Sequence, residues 1–249
     1  MLKKHKGQFL ATLLLLAIIP VFNVHAESVT VHDQAELKQA LENESVTTII
    51  LGENINTTEK INVLRNVTID GNGHTMKYVG TFGASGSSEN TTWGGIYVLQ
   101  VYKATATIKN IKLTGGNGGL LVNGGHVTFE GTIDVSGNGF GGIELGQGAA
   151  VESVAHLTIA DGAKIVNTTE TADRPTLWVP EDSTGAILEM NGVKQTLNAG
   201  DEFTIQEINN LFAEQDNVNT ADPLVWYITL AFLGLLTFGY SAKKLVVQR

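Results

Sequence analysis

The 249-residue chain contains no cysteine and only 4 prolines, and charged residues make up just 16% of it. The lack of cysteine excludes disulfide bonds, thiolate metal sites and a cysteine nucleophile. Basic residues are scarce as well, because 16 Lys and Arg stand against 25 Asp and Glu. Since phosphate binding needs clustered Lys and Arg, this balance argues against nucleic acid as a partner.

The basic residues are also unevenly placed. Residues 27–222 hold all 25 acidic residues but only 10 Lys and Arg, which gives this region a net charge of −15. Three of the other basic residues precede an apolar run over residues 9–22, and the small-x-small sequence Val24-His25-Ala26 follows that run. This order is typical of a secretory signal peptide, which we predict over residues 1–26.

The second apolar segment, residues 223–242, carries no charge. Its 20 residues would span about 30 Å as a helix, which matches the hydrocarbon core of a bilayer. Trp226 and Tyr227 stand at its start, and residues 243–249 contain two lysines and an arginine. We therefore predict one transmembrane helix with a basic cytoplasmic tail, so that residues 27–222 face outward. The alternative for residues 223–242 is a buried core helix.

This tail resembles the cell-wall sorting signal of surface proteins in Gram-positive bacteria. Those signals consist of a sortase pentapeptide, an apolar span and a short basic tail. The span and the tail match here, but Asn-Thr-Ala-Asp-Pro at residues 219–223 replaces the expected Leu-Pro-x-Thr-Gly. The resemblance implies a protein on the outer face of the membrane or in the cell wall, and the replaced pentapeptide favours the membrane.

The exported region begins with a helical pattern and continues with short strands. Asp33 and Glu36 form the pattern of a capping box, which predicts a helix over residues 33–42. Residues 48–51 and 66–70 read as short strands between turn residues. Thr204 and Glu207 form a second capping box, which predicts a short helix and a polar linker over residues 204–222.

Four apolar–x–apolar triplets recur along the strand-rich region, and their first residues are 24, 23 and 34 positions apart. The polar insertion at residues 167–175 accounts for the longer third interval. A second series begins at Ile111, Ile133 and Leu157. Repeats of about 23 residues with glycine and asparagine at the corners are typical of a β-solenoid, whereas a β-sandwich is the alternative. The four triplets are Ile96-Tyr97-Val98, Leu120-Leu121-Val122, Ile143-Glu144-Leu145 and Leu177-Trp178-Val179.

Residues 28–195 resemble pectate-lyase-like right-handed β-helix domains of Gram-positive surface proteins. The resemblance implies an all-β, right-handed parallel β-helix over residues 27–203, with helix 33–42 capping its first coil. It says little about chemistry, because β-helices serve as lyases, hydrolases, adhesins and scaffolds. The segments that carry it are Ala35 to Leu41, Thr48 to Leu51, Asn66 to His74, Gly141 to Glu144 and Pro175 to Val179.

The middle residue of each triplet is predicted to point outward from the coil. Stacked coils would then align Tyr97, Leu121, Glu144 and Trp178 in one row, about 4.8 Å apart. Aromatic faces stack on sugar rings while a carboxylate accepts bonds from hydroxyl groups, so we expect a carbohydrate-binding row. The alternative is that a loop, residues 81–92 or 167–175, covers this row.

An enzyme remains the second interpretation. Glu170 and Asp173 stand beside Arg174, which is the nearest approach to an acid–base cluster. Family lyases use carboxylate-bound calcium and an arginine base, so calcium is expected only under this alternative. Otherwise we expect neither a metal nor a cofactor, because the histidines are scattered in the sequence.

We therefore expect a cell-surface adhesion or binding protein with an acidic β-helix and no catalytic activity. Its partner would be surface carbohydrate or a protein of a host or neighbouring cell. The alternatives are a membrane-tethered polysaccharide lyase or glycoside hydrolase acting on acidic polysaccharide, and a scaffold with no ligand of its own.

Overall fold

The structure is a computed structural model that describes residues 26–81, 96–147 and 151–216. These residues form seventeen strands and two helices, α1 (Gln34–Glu42) and α2 (Ile205–Asp216). The strands are β1 (Glu27–Val31), β2 (Val46–Leu51), β3 (Ile55–Thr57), β4 (Ile61–Val63), β5 (Val67–Asp70), β6 (Thr75–Tyr78), β7 (Tyr97–Tyr102), β8 (Thr105–Thr114), β9 (Gly118–Asn123), β10 (His126–Asp134), β11 (Gly141–Gly146), β12 (Ala155–Ile159), β13 (Lys164–Val166), β14 (Leu177–Trp178), β15 (Ala186–Met190), β16 (Val193–Leu197) and β17 (Glu202–Phe203).

The strands build two sheets in which almost all neighbours are parallel. The long sheet has eleven strands and follows the order β1-β2-β5-β8-β10-β12-β15-β16, with β3, β6 and β13 attached beside this path. The short sheet has the order β17-β14-β11-β9-β7-β4. From β7 to β12 the chain alternates between the two sheets with every strand. This parallel arrangement is compatible with a β-helix, as the sequence periodicity predicts.

The register of the short sheet explains the sequence spacing. Ile143 pairs with Leu120 on one side and with Leu177 on the other. The 34-residue interval between Ile143 and Leu177 is therefore one repeat with an insertion, as expected. The second series of the sequence does not form one continuous row in the long sheet. Ile111 does pair with Ile133, but Ile133 then pairs with Ile165, whereas Leu157 pairs with Val127.

The mismatch arises because the long strands of the long sheet turn a corner. The backbone of β8 has φ +48° at Asn110, a left-handed value that asparagine tolerates better than most residues. The pairing of β8 with β10 shifts register between Glu130 and Ile133. The two halves of β10 consequently pair with different strands, β12 and β13. An apolar pattern cannot distinguish these two partners.

One apolar core runs between the sheets. Alternate residues of the strands are buried, and the largest completely buried side chain is Phe129 of β10. Its neighbours along the long sheet, Ile108 of β8 and Ile159 of β12, pair with Phe129 in register and are also buried. Since each coil buries its apolar residues only against the next, stacking of the coils creates the core.

Helix α1 begins where the capping pattern predicts. The side chain of Asp33 accepts a hydrogen bond from the backbone N–H of Glu36 at 2.8 Å. The carboxylate of Glu36 accepts from the N–H of His32, also at 2.8 Å, rather than from Asp33. At the other end, Arg65 donates to the carbonyl groups of Ala40 and Leu41. Helix α1 buries Leu37 and Ala40 against the first strands of the long sheet.

Helix α2 begins with a complete capping box. The N–H of Glu207 donates to the hydroxyl oxygen of Thr204 at 3.2 Å, and the N–H of Thr204 donates back to the Glu207 carboxylate at 2.8 Å. The N–H and the hydroxyl group of Thr204 both donate to the Glu207 carboxylate and lower the pKa of Glu207. Ile208 and Phe212, one turn apart, are buried in the core. The apolar spacing in the sequence therefore identifies the face of α2 that packs on the strands.

The predicted signal peptide and the predicted membrane helix at residues 223–242 lie outside the described residues. Most of the loop at residues 81–92 lies outside them as well. Within residues 26–81, 96–147 and 151–216, no helix is long and apolar enough to cross a membrane.

Candidate functional site

Four residues of the short sheet occupy one register position on neighbouring strands. Gln100 of β7 pairs with Leu121 of β9, Leu121 pairs with Glu144 of β11, and Glu144 pairs with Trp178 of β14. Adjacent strands lie about 4.8 Å apart, so these side chains form a continuous series. We call Gln100, Leu121, Glu144 and Trp178 the outer row.

Three of the four predicted row residues thus lie in register, whereas the predicted position of Tyr97 is wrong. The structure pairs Tyr97 with Gly118, and Gln100 takes the place beside Leu121. The error is a shift of three residues. It arises because residues 96–101 contain two consecutive apolar–x–apolar triplets, one centred on Tyr97 and one on Gln100. Gln100 is therefore the row residue that the sequence reasoning missed.

Tyr97 nevertheless reaches the outer row through its ring. A Cβ atom on Gly118 would lie 2.6 Å from Cε1 of Tyr97, and one on Gly141 would lie 2.9 Å from Cζ3 of Trp178. Only glycine leaves room for the two rings over these strands. The ring centroids of Tyr97 and Trp178 are 6.5 Å apart with an interplanar angle of 30°. The glycines that precede the triplets thus serve the site as well as the coil corners.

Glu144 joins the two aromatic residues. The hydroxyl group of Tyr97 donates a hydrogen bond to Oε2 of Glu144, and Trp178 occupies the paired position on the next strand. Burial raises the pKa of Glu144, and the Tyr97 hydroxyl group and the Trp178 side chain oppose the shift without cancelling it. Burial also raises the pKa of Tyr97, and the charge of Glu144 adds to the effect. Burial therefore disfavours the charged form of both groups.

The outer row is unevenly accessible. Tyr97, Leu121 and Gln100 keep no more than 9% of their surface exposed, whereas Glu144 and Trp178 are half-buried. The amide oxygen of Gln100 accepts a hydrogen bond from Nζ of Lys60 at 2.8 Å. A ligand approaching this face would consequently contact Trp178 and Glu144 first.

The weak catalytic candidates of the 167–175 loop lie elsewhere, next to helix α2. The carboxylate of Glu170 accepts hydrogen bonds from the hydroxyl group of Thr176 and from the backbone N–H of Ile205, the latter at 2.8 Å. The backbone of Arg174 pairs with that of Thr171, and the side chains of Asp173 and Arg174 are exposed. Glu170 therefore connects the loop to the first turn of α2.

Two histidines that are distant in sequence meet on the outer face of the long sheet. The rings of His126 and His156 stack with centroids 4.0 Å apart, and Nε2 of His156 lies 3.0 Å from the carboxylate of Glu189. Burial lowers the pKa of His126, and His156 lowers it further. In the described part of the chain, no group of three or more His, Asp or Glu side chains is arranged to hold a metal ion.

Comparison with known protein families gives one match. Residues 28–141 match the family described as "Putative pectate lyase-like adhesive domain". No curated protein and no solved structure matches the chain. The matched residues include α1, all of β1 except Glu27, strands β2 to β10 and the first residue of β11. The match supports a pectate-lyase-like domain and indicates an adhesion or binding function for a surface-exposed protein.

Proposed function

We propose that this protein is a non-catalytic cell-surface adhesion protein. It binds carbohydrate, or a partner on a host or neighbouring cell, through the outer row and Tyr97. The match to an adhesive domain supports binding as the general role. The single observation that carries the location is the cluster of Tyr97, Glu144 and Trp178, in which the Glu144 carboxylate accepts a hydrogen bond from Tyr97 and is paired with Trp178 on the next strand.

The proposed architecture is a right-handed β-helix over residues 27–203, closed at both ends by helices. Helix α1 covers the first coil, where it buries Leu37 and Ala40 against the starting strands. Helix α2 covers the last coil with Ile208 and Phe212. Both contacts protect core residues that the end of a solenoid would otherwise expose to water.

The proposed location is the outer surface of a cell of the Gram-positive type. Residues 1–26 direct export, residues 223–242 anchor the chain in the membrane, and residues 243–249 remain in the cytoplasm. The sequence supports this arrangement through the two uncharged segments and the basic residues that flank them. Attachment to the cell wall is the variant of this proposal in which sortase processes residues 219–223.

The absence of catalysis is part of the proposal. The carboxylate of Glu170 has a structural role, because it accepts hydrogen bonds from Thr176 and Ile205. Incubation of the protein with pectin-like polymers should therefore release neither unsaturated uronates nor reducing ends. Measurable release that Glu170→Gln abolishes would contradict this part of the proposal.

A glycan array probed with the full-length protein tests the binding site. We expect a defined set of glycans to bind, and we expect Trp178→Ala to reduce that binding at least about tenfold, because the stacking surface is lost. Glu189→Gln, which changes a carboxylate on the other sheet, is the matched control and should bind normally. Thermal unfolding of each variant shows that it is folded. Unchanged binding by folded Trp178→Ala would contradict the proposal.

A further inference from the structure

The most accessible part of the outer row is surrounded by carboxylates. Trp178 pairs with Glu144 on one side and with Glu202 of β17 on the other. Residues directly opposite one another on paired strands share one face of the sheet, with Cβ atoms about 5 Å apart. The backbone position of Trp178 therefore lies between two acidic residues, one half-buried and one exposed, while its indole ring extends over Gly141 of β11.

A third acidic residue adds to the negative charge near the Trp178 end of the outer row. The exposed carboxylate of Asp182 acts on Glu144 and raises the pKa of that group, which places its negative charge near the row. Lys60 opposes this effect, but its ammonium group donates to Gln100, at the other end of the outer row. The Trp178 end of the row is therefore the acidic end.

This combination fits a cationic group. An ammonium ion over the face of a tryptophan is attracted by the negative π surface of the ring. Carboxylates beside the ring accept the N–H bonds of the same ion. The exported region as a whole carries a net charge of −15, which raises the local concentration of cationic ligands.

We infer that the outer row selects glycans that carry a free, protonated amino group, such as an unacetylated hexosamine. The inference rests on the proposed carbohydrate-binding function and names its ligand class. The sugar ring stacks on Trp178 while its ammonium group donates to Glu144 and Glu202. N-acetylation removes the charge, and a uronic acid in the same place meets like charges. Both of these ligands therefore bind more weakly than the free amine.

A pair of oligosaccharides that differ only in acetylation tests this inference. Calorimetry with the full-length protein would compare a β-1,4-linked glucosamine tetramer with its fully N-acetylated form and with a galacturonic acid tetramer. We expect the free amine to bind about tenfold more tightly than the acetylated form. Added salt should reduce this preference, because Glu202 and Asp182 are exposed and their attraction is screened.

Glu202→Gln is the decisive variant, because it removes one exposed charge and keeps the size of the side chain. It should weaken binding of the amine about three- to tenfold and leave binding of the acetylated tetramer unchanged. Glu130→Gln, an exposed carboxylate on the long sheet, is the control and should change neither affinity.

The outcomes separate this inference from the proposed function. Equal affinity of the native protein for both tetramers, with loss of both in Trp178→Ala, would overturn the ammonium inference and leave the carbohydrate site intact. Array hits that include no amino sugar would overturn it as well. A protein that binds no glycan at all would contradict both the inference and the proposed function.

Discussion

Phe129 and Phe140 show how differently the same residue type is used in this chain. The side chain of Phe129 is completely buried between the sheets, whereas Phe140 at a coil corner is 51% exposed. Phe129→Ala should lower the free energy of unfolding by about 3–5 kcal/mol, because it leaves a cavity among packed neighbours. Phe140→Ala is the matched control.

Urea denaturation monitored by circular dichroism would measure both variants. We expect Phe140→Ala to stay within about 0.5 kcal/mol of the parent, since exposed substitutions rarely cost more. A similar loss for the two phenylalanines would mean that the core does not lie where the buried residues of β10 place it.

His126 provides a pH dependence at the residue scale. Its pKa is lowered in the folded protein, chiefly by burial and then by His156, whereas Glu189 acts in the opposite direction and Lys194 in the same direction. The unfolded chain therefore binds a proton at His126 more readily than the folded protein does. The free energy of unfolding therefore keeps its full contribution from His126 above pH 6.5, the pKa of the unfolded chain. This contribution is lost as the pH falls below that value and through the lowered pKa of the folded protein.

His126→Thr should reduce the loss of stability at acid pH, because it removes the titratable ring. Threonine is the chosen substitute because Thr105 occupies the paired position on β8. The measurement is the free energy of unfolding between pH 7.5 and pH 5. An identical slope for parent and variant would show that His126 does not control the acid sensitivity.

We expect the ionised carboxylate of Glu144 to lower the stability of the fold while it contributes to ligand binding. Its pKa is raised in the folded protein by burial, so the folded state binds a proton more readily than the unfolded chain. Protonation therefore stabilises the fold as the pH falls through the raised pKa, and the ionised carboxylate reduces stability at higher pH. Glu144→Gln should be at least as stable as the parent at pH 8 and should bind its ligand more weakly.

Chemical denaturation at pH 8 and pH 4 would test this trade-off. We expect the difference between Glu144→Gln and the parent to shrink at the lower pH, where both side chains are uncharged. A variant that is less stable than the parent at pH 8 would contradict the idea that ionised Glu144 reduces stability.

At the scale of elements, α1 depends on one cap. Asp33 accepts the hydrogen bond of the Glu36 N–H. Asp33→Ala should reduce the free energy of unfolding by about 1 kcal/mol, and Asp33→Asn, which keeps the acceptor oxygen, should cost much less. Equal effects of the two substitutions would indicate that α1 contributes little to the cooperative unit.

Local patterns predicted the elements well where a cap or a period is self-contained. The capping residues of α1 and α2 and the interval from Leu120 to Leu177 all identify real features of the fold. They succeed because a helix cap joins residues only three positions apart, and because successive coils of similar length place the apolar triplets at a nearly constant spacing.

Long-range features were beyond the sequence. The register of Tyr97 depends on a choice between two consecutive triplets, and the partners of Ile133 and Leu157 depend on a corner at Asn110. The stacking of His126 on His156 follows from strand register across a 30-residue gap. These features are set by tertiary pairing, which an apolar pattern leaves undetermined.

At the scale of the whole molecule, the described residues form two parallel sheets with different outer faces. The short sheet carries the outer row, and the long sheet carries the histidine pair. The proposal assigns ligand binding to the short sheet alone. A bound ligand should consequently protect one face of the protein and leave the other as accessible as before.

Oxidative footprinting of the full-length protein, with and without a glycan that binds on the array, tests this central claim most directly. Hydroxyl radicals modify exposed indole and imidazole rings, and mass spectrometry of peptides locates the modification. The account predicts that bound glycan reduces oxidation of Trp178 several-fold and leaves oxidation of His126 unchanged. Unchanged oxidation of Trp178 at saturating glycan, or protection of His126 instead, would contradict the account.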